Sequence, residues 1–452
     1  MRIVIIGDGK VGHKIATELS EDDYDVVVID QNENQLSSTS NTLDVLCIPG
    51  DGADAEVQRA AGVDHADLVI ACTSLDEINM LSCLVARRVG ARHTIARVRN
   101  PIYYNQINFL KEDLRLSMAV NPEMEAADEI ARVLLFPAAS KVESFVKGKV
   151  EMVEFPIRNG SPLEGMVLKN LARTLSVKVL VGIVQRGKEV FIPDGEFTLQ
   201  AGDKIHIIAA HSEVEQFFRK IGQASQKIRK VMMIGGGRLG FYLAKQLIDL
   251  KMQVKIIERD YDKCMELAEQ LPEATIIYGD TRDHALLEEE GLNSADAFVS
   301  FTSVDEENML AAFYAKTMGV KKIVAKVEEE SLSVMTEAMG IDSVVSPKAL
   351  TADLILGYVR ARHSSMKSEN IESIYQLVNG QIEAMEFVIG NTAKYVNIPL
   401  KDLPIKANNL IAAIARGSEV IVPGGMDVIL PGDSVIVVTM NKKVQNFDEI
   451  LK

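Results

Sequence analysis

Arg2-Ile3-Val4-Ile5-Ile6-Gly7-Asp8-Gly9-Lys10-Val11-Gly12 follows the first Met. Residues 2–6 form a short apolar run rich in β-branched side chains, the composition of a buried strand. The run breaks into G-x-G-x-x-G. Val11, Ile15, Ala16 and Leu19 then recur at helical spacing, and Val26-Val27-Val28-Ile29 reads as a second strand ending on Asp30. Strand, glycine turn, helix, strand and acid stand in the order that a dinucleotide-binding unit needs.

The residue types carry the chemistry. Gly7 allows a sharp turn, Gly9 lets backbone N–H groups approach a pyrophosphate, and Gly12 lets the helix pack on the strand. The helix N-terminus offers unpaired donors and partial positive charge to phosphates. Asp30 is placed to accept hydrogen bonds from ribose hydroxyls and to repel a 2′-phosphate. The expected ligand is therefore an NAD-type or plain adenine nucleotide rather than NADP.

Working outward, 68-Leu-Val-Ile-Ala-Cys-72 does not alternate and reads as a strand buried on both faces. Further strands are expected at 45–48, 94–98 and 118–120, with helices at 55–61 and 76–90. Six strands with helices between them make a doubly wound parallel sheet whose ligands bind at the carboxyl ends of the strands. Residues 7–12, Asp30, Asp51, Thr73, Ser74 and Arg97 fall at or near those ends. A helix over 124–136 lies past the last strand and is expected to pack outside the first domain. From residue 150 the periods become strand-like and turn-rich, giving a small α+β domain closed by a helix at 212–221.

The chain then repeats itself. Gly235 follows Gly7 by 228 positions, and Glu258 follows Asp30 by 228. Asp280, Thr302 and Lys326 follow Asp51, Thr73 and Arg97 by 229, and Gly432 follows Gly202 by 230. Thr73-Ser74-Leu75-Asp76-Glu77-Ile78-Asn79-Met80 returns as Thr302-Ser303-Val304-Asp305-Glu306-Glu307-Asn308-Met309. The fold class is α/β: a tandem duplication of a Rossmann-like doubly wound parallel sheet plus a small α+β domain. The expected domains are 1–138, 139–226, 227–362 and 363–452.

The second cradle, Gly235-Gly236-Gly237-Arg238-Leu239-Gly240, keeps three glycines and an acid, with Glu258 one methylene longer than Asp30. Lys10 and Arg238 are either phosphate-binding cations or solvated turn residues. Asp51 and Asp280 either meet an adenosine or cap their turns. Thr73 and Thr302 are candidates to contact the ligand phosphates or ribose, and to cap the following helix, roles that can hold together. Arg97 and Lys326 either face the crevice or join surface ion pairs.

Bulk properties narrow the class. Across 452 residues the formal charge is -15, and no basic stripe suits nucleic acid. No apolar stretch approaches a membrane span, and the N-terminus runs straight into a core strand, so no leader is expected. Cys47, Cys72, Cys83 and Cys264 have no C-x-x-C spacing and read as reduced core residues. The seven histidines include no repeat-matched pair and no metal-ligand spacing, so no catalytic residues and no metal are expected. A sensor is the better reading, with an NAD-dependent oxidoreductase or a structural assembly protein with vestigial sites as alternatives.

The sequence resembles the TrkA family of RCK (KTN) regulatory subunits of bacterial Trk potassium-uptake systems. The resemblance covers the whole chain. It rests on the doubled cradles, Asp30, Gly50-Asp51, the Thr73–Met80 motif, Ile95-Ala96-Arg97-Val98, and the small-domain turns Pro193-Asp194-Gly195 with Gly202-Asp203 and Pro423-Gly424-Gly425 with Gly432-Asp433. It implies binding of NAD(H) and of ATP or ADP. It also implies a homo-oligomeric ring, cytoplasmic and peripheral on the inner face of the membrane, that gates a TrkH-like membrane subunit. Residues 124–136 and 350–359 resemble the family's crossover helices.

Overall fold

The structure is a computed structural model. It describes residues 1–452 except 23, 111, 147, 224–226, 366–370, 379, 392, 418, 442–443 and 445; the side chains of 108, 330, 333–334, 337 and 364–365 are also outside the description. In chain order, the first α/β segment is β1 (Arg2–Ile6), α1 (Lys10–Glu21), β2 (Asp25–Asp30), α2 (Glu33–Thr42), β3 (Leu46–Pro49), α3 (Ala55–Ala60), β4 (Leu68–Ala71), α4 (Asp76–Val89), β5 (His93–Arg97), α5 (Pro101–Leu110), β6 (Met118–Val120) and α6 (Pro122–Leu135). The first small segment is β7 (Lys141–Phe145), β8 (Val150–Pro156), α7 (Leu168–Leu175), β9 (Leu180–Arg186), β10 (Glu189–Phe191), β11 (Lys204–Ala210) and α8 (His211–Lys220).

The second α/β segment is β12 (Lys230–Ile234), α9 (Arg238–Asp249), β13 (Gln253–Glu258), α10 (Tyr261–Gln270), β14 (Thr275–Tyr278), α11 (His284–Glu289), β15 (Ala297–Ser300), α12 (Asp305–Thr317), β16 (Lys322–Lys326), α13 (Glu330–Ala338), β17 (Ser343–Val345) and α14 (Pro347–Ser365). The last segment is β18 (Ile371–Leu377), β19 (Ile382–Val388), β20 (Asn409–Arg416), β21 (Glu419–Ile421) and β22 (Ser434–Thr439). Helices α2 and α5 were not expected. In α2 only Leu36 and Thr39 are buried, too few for an apolar period. Helix α14 continues unbroken through residue 362, the end expected for the third domain.

The chain forms two compact units, one of residues 1–131 with 229–356 and one of 132–228 with 357–452. The first unit holds both parallel sheets, ordered β3-β2-β1-β4-β5-β6 and β14-β13-β12-β15-β16-β17. The reversal between β1 and β4, and between β12 and β15, opens a crevice at the carboxyl ends of the strands. Ile3, Val4 and Ile5 on β1 are fully buried. Such side chains contribute about 1.5–3 kcal/mol each relative to exposure, which makes β1 the sheet's anchor.

The two parallel sheets touch within this unit. Gln246 of α9 donates to Asp128 of α6, so the first part of α6 packs outside its own sheet, as its position after β6 implied. Tyr242 of α9 is also buried there; its hydroxyl accepts from Asn121 Nδ2 at 2.9 Å and donates to Arg99 O at 3.3 Å.

The second unit holds two antiparallel sheets, β10-β9-β11-β8-β7 and β18-β19-β22-β20-β21. They share one apolar core: Phe145, Met152, Ile183 and Ile208 meet Ala384, Ala412, Ile436 and Val438. The repeated Gly-Asp turns are locks. Arg186 Nε and Nη2 grip Asp203, each at 2.8 Å, and Arg416 grips Asp433 at 2.8 and 2.7 Å. Asp203 and Asp433 are buried, so this bidentate pairing also compensates their desolvation.

Candidate functional site: two phosphate cradles

Each cradle is a turn that only glycine can complete. Gly7 has φ +102° and Gly235 φ +103°, in the region side chains avoid. A Cβ on Gly12 would stand 1.9 Å from Gly7 O, and one on Gly240 2.6 Å from Gly235 O. Gly9 and Gly237 face open space. The three glycines thus have three physical duties: reversal, access and close packing. Gly9 and Gly237 begin α1 and α9 with no side-chain cap, leaving first-turn N–H groups for a ligand.

The acids at the ends of β2 and β13 brace the turns. Asp30 accepts from Asp8 N at 2.7 Å and from Asn32 N at 2.8 Å. Glu258 accepts from Gly236 N at 2.5 Å and from Asp260 N at 2.9 Å. The extra methylene of Glu258 therefore reaches the matching amides. Val11 and Leu239 bury their side chains, so only their backbone can face a ligand. The Asp8 side chain is also buried, whereas Lys10 and Arg238 are exposed and form no ion pair among the described residues.

The other wall comes from β4 and β5. The Thr73 N–H donates to Asn79 Oδ1 at 2.7 Å, and Asn79 Nδ2 donates to Arg97 O at 2.9 Å. Thr302 and Asn308 repeat the first bond at 2.7 Å, and Asn308 to Lys326 O the second at 3.0 Å. Asn79 and Asn308 stitch two strand ends to one helix. The sequence carried them inside a repeated motif without revealing that role. Thr73 and Thr302 are not the caps of α4 and α12; Leu75 and Val304 hold those positions. Ser74 is exposed beside Thr73.

Arg97 Nη2 donates to Thr73 O at 2.5 Å, and its Nε has no partner. Burial lowers its pKa from the ordinary arginine value. It makes no ion pair among the described residues, nor does Lys326. Cys72, between β4 and Arg97, is buried and its thiol is pushed up to about 12, first by burial. It is therefore a packed thiol, not a thiolate nucleophile.

Asp51 and Asp280 cap their own turns, each one residue past a glycine whose N–H donates to the carbonyl of Asp30 or Glu258, at 2.9 and 3.0 Å. Asp51 accepts from Ala53 N at 2.9 Å. Asp280 accepts from Arg282 N at 3.0 Å and from the Arg282 guanidinium at 3.0 and 2.8 Å. Arg282 holds the Asp280 carboxyl down at about 2. Among the described residues no group of His, Cys, Asp and Glu is arranged to hold a metal ion, and no helix is long and apolar enough to cross a membrane.

Comparison with known proteins places these features. The family described as TrkA-N domain matches residues 3–122 and 231–347, and TrkA-C domain matches 152–222 and 384–452. A Trk system potassium uptake protein TrkA homolog of Archaeoglobus fulgidus is 33% identical over 452 residues, covering 100% of both chains. The Trk system potassium uptake protein TrkA of Halomonas elongata is 31% identical over 449 residues, covering 98% of this chain and 96% of its own. Among solved structures, the GsuK RCK domain aligns with TM-score 0.64 at 19% identity, over 99% of this chain and 94% of that one. The GsuK channel bound to NAD aligns with TM-score 0.65 at 18% identity, over 99% of this chain and 78% of that one. At those identities the likeness is one of fold.

Proposed function

This chain belongs to the TrkA family of Trk-system potassium-uptake proteins, and from that premise we propose that it is a nucleotide-sensing regulatory subunit rather than an enzyme. Its cradles bind NAD(H) and ATP or ADP. Residues 7–12 and 235–239 meet the phosphates, Asp30 and Glu258 the ribose, and Thr73, Ser74, Arg97, Thr302 and Lys326 line the opposite wall. Asp51 and Asp280 border the adenosine end. Several copies form a homo-oligomeric ring at the cytoplasmic face of the membrane, where they gate a TrkH-like potassium-transporting subunit. The same reading divides the chain into nucleotide-binding domains 1–138 and 227–362 and small domains 139–226 and 363–452.

One observation carries this reading: both halves keep a complete cradle, braced by a carboxylate that holds two backbone amides. At the first cradle burial holds Cys72 as a thiol, and Phe301 takes the matching position at the second. Binding energy is then available to shift a conformational equilibrium. The test is equilibrium binding of NADH and ATP to the purified chain, followed by potassium flux through a co-purified TrkH-like subunit with and without each nucleotide. Saturable binding that changes flux is expected. Absence of binding, or turnover of NADH with a carbonyl substrate, overturns the proposal.

A further inference from the structure

Beneath the first glycine turn lies a charged group that the second half lacks. Asp8 is fully buried and its carboxylate turns toward α1 and α2. Thr39 Oγ1 donates to Asp8 Oδ2 at 2.6 Å, and Gln35 Nε2 donates to Asp8 O. The Asp8 N–H is the one held by Asp30. Asp8 Oδ1 makes no hydrogen bond. The nearest cation-forming group is His13, whose Nδ1 stands 3.4 Å from that oxygen and 3.1 Å from Thr39 Oγ1.

The hydrogens can be assigned from this network. The Thr39 hydroxyl hydrogen goes to Asp8, so the Thr39 oxygen accepts from His13 Nδ1–H. Nε2 is then the nitrogen that gains a proton. The His13 side chain is 44% exposed. It stands on the wall of a crevice of about 400 Å³ whose charged lining is Lys10, Lys348, Asp305, Glu328 and Glu329. Cys47 of β3 also faces Asp8; its thiol is raised by burial and, secondly, by that carboxylate. Gly236, Phe241 and Leu267 occupy the matching positions in the second half, where nothing titrates.

We propose that His13 is a positioning residue of the first nucleotide site, and that nucleotide binding there takes up a proton at His13. The proposal rests on the reading that residues 7–12 hold the phosphates. His13 lies one helical turn beyond Lys10 on α1, so a pyrophosphate at the helix start adds negative charge beside it. Asp8, Asp305, Glu328 and Glu329 act in the same direction; Lys10 and Lys348 oppose. A cationic His13 ring places its positive charge beside the orphan oxygen of Asp8, 3.4 Å from Nδ1. That steadies the Asp8 amide on Asp30, the carboxylate assigned to the ribose.

The test is calorimetry of NAD binding to the full chain in two buffers of different ionisation heat. NAD is chosen because its pyrophosphate does not titrate near neutrality. Affinity is expected to be about three- to tenfold higher near about pH 6 than near about pH 8, with net proton uptake. H13Q removes both effects. G240V, which blocks the second cradle, keeps them, and G12V, which blocks the first, abolishes them. Should the glycine variants fail to fold, the wild-type and H13Q pair decides alone. NAD binding with proton uptake unchanged in H13Q overturns the proposal while leaving the nucleotide-site reading intact. No NAD binding by the wild-type chain overturns both.

Discussion

The two α/β halves touch through matching positions, and the two sides of that contact have diverged. On one side Tyr242 of α9 is buried against Asn121 and Arg99 O. Its counterpart in α1 is Lys14, which pairs with Glu18 at 3.1 Å on its own helix. There the crevice beside His13 opens instead. The charges are exchanged as well. Arg99 Nε donates to Glu123 Oε1 at 2.7 Å in the first half. Glu328 and Lys348 stand at the matching positions of the second, where Glu328 accepts from Ser346 Oγ at 2.8 Å. Duplication has thus given one chain two unlike seams, one filled by the Tyr242 ring and one bordered by a crevice.

The largest expected effect breaks the filled seam. Tyr242→Ala removes a buried ring and the shorter of the two hydrogen bonds of Asn121 Nδ2, leaving the one to Arg99 O at 3.5 Å. It is expected to destabilise the first unit by about 3–4 kcal/mol. Lys14→Ala, at the matching position, removes a side chain that pairs with Glu18 on its own helix and should cost less than Tyr242→Ala, about 1 kcal/mol or less. Urea denaturation of both variants, with hydrogen exchange along α6, checks the pair. Equal losses would mean that the two sides are equivalent.

A smaller effect sharpens the comparison at the cradles. Gly12→Ala forces a methyl to within 1.9 Å of Gly7 O, whereas Gly240→Ala meets Gly235 O at 2.6 Å and the Phe301 ring at 2.9 Å. Backbone oxygen yields less readily than a side chain. The expected costs are about 2–3 kcal/mol for Gly12→Ala and about 1–2 kcal/mol for Gly240→Ala. Each variant should lose nucleotide binding in its own half first. Denaturation midpoints and NADH titrations of the two variants report this.

Much of this was legible in the residues because the signals are local. The strand-glycine-helix-strand-acid order and the offsets of 228–230 positions specified the doubled fold and the cradle glycines. What stayed hidden depends on pairing across space. Helix α2 shows little apolar periodicity, yet it holds Asp8 through Thr39 and Gln35. The Arg99–Glu123 ion pair is 24 positions apart along the chain, and the Lys348 N–H to Glu328 bond at the matching positions 20, so no spacing rule joins them. Asn79 was visible as a repeated letter; that it ties Thr73 to Arg97 needed β4 and β5 side by side.

The smallest expected effect compares the two antiparallel sheets. His206 on β11 pairs in register with Glu154 on β8, and its equivalent opposite Glu386 is Ile436. His206 is buried and its Nε2 has no hydrogen-bond partner; Glu154 Oε2 lies 3.6 Å away. Burial lowers its pKa below the ordinary imidazole value; Glu154 and Glu143 oppose this, and Lys141 and Lys204 assist it. The neutral ring is therefore the form the fold prefers. Its contribution is present above the ordinary value of about 6.5 and is lost as pH falls below it, because the unfolded state then binds the proton more readily. Protection of the β8 and β11 amides, corrected for intrinsic exchange, should decline on that side, with a slope of no more than about one proton. His206→Ile, which installs the residue of the second sheet, should flatten the decline. A decline of unchanged slope in that variant would place the sensitive group elsewhere in the unit.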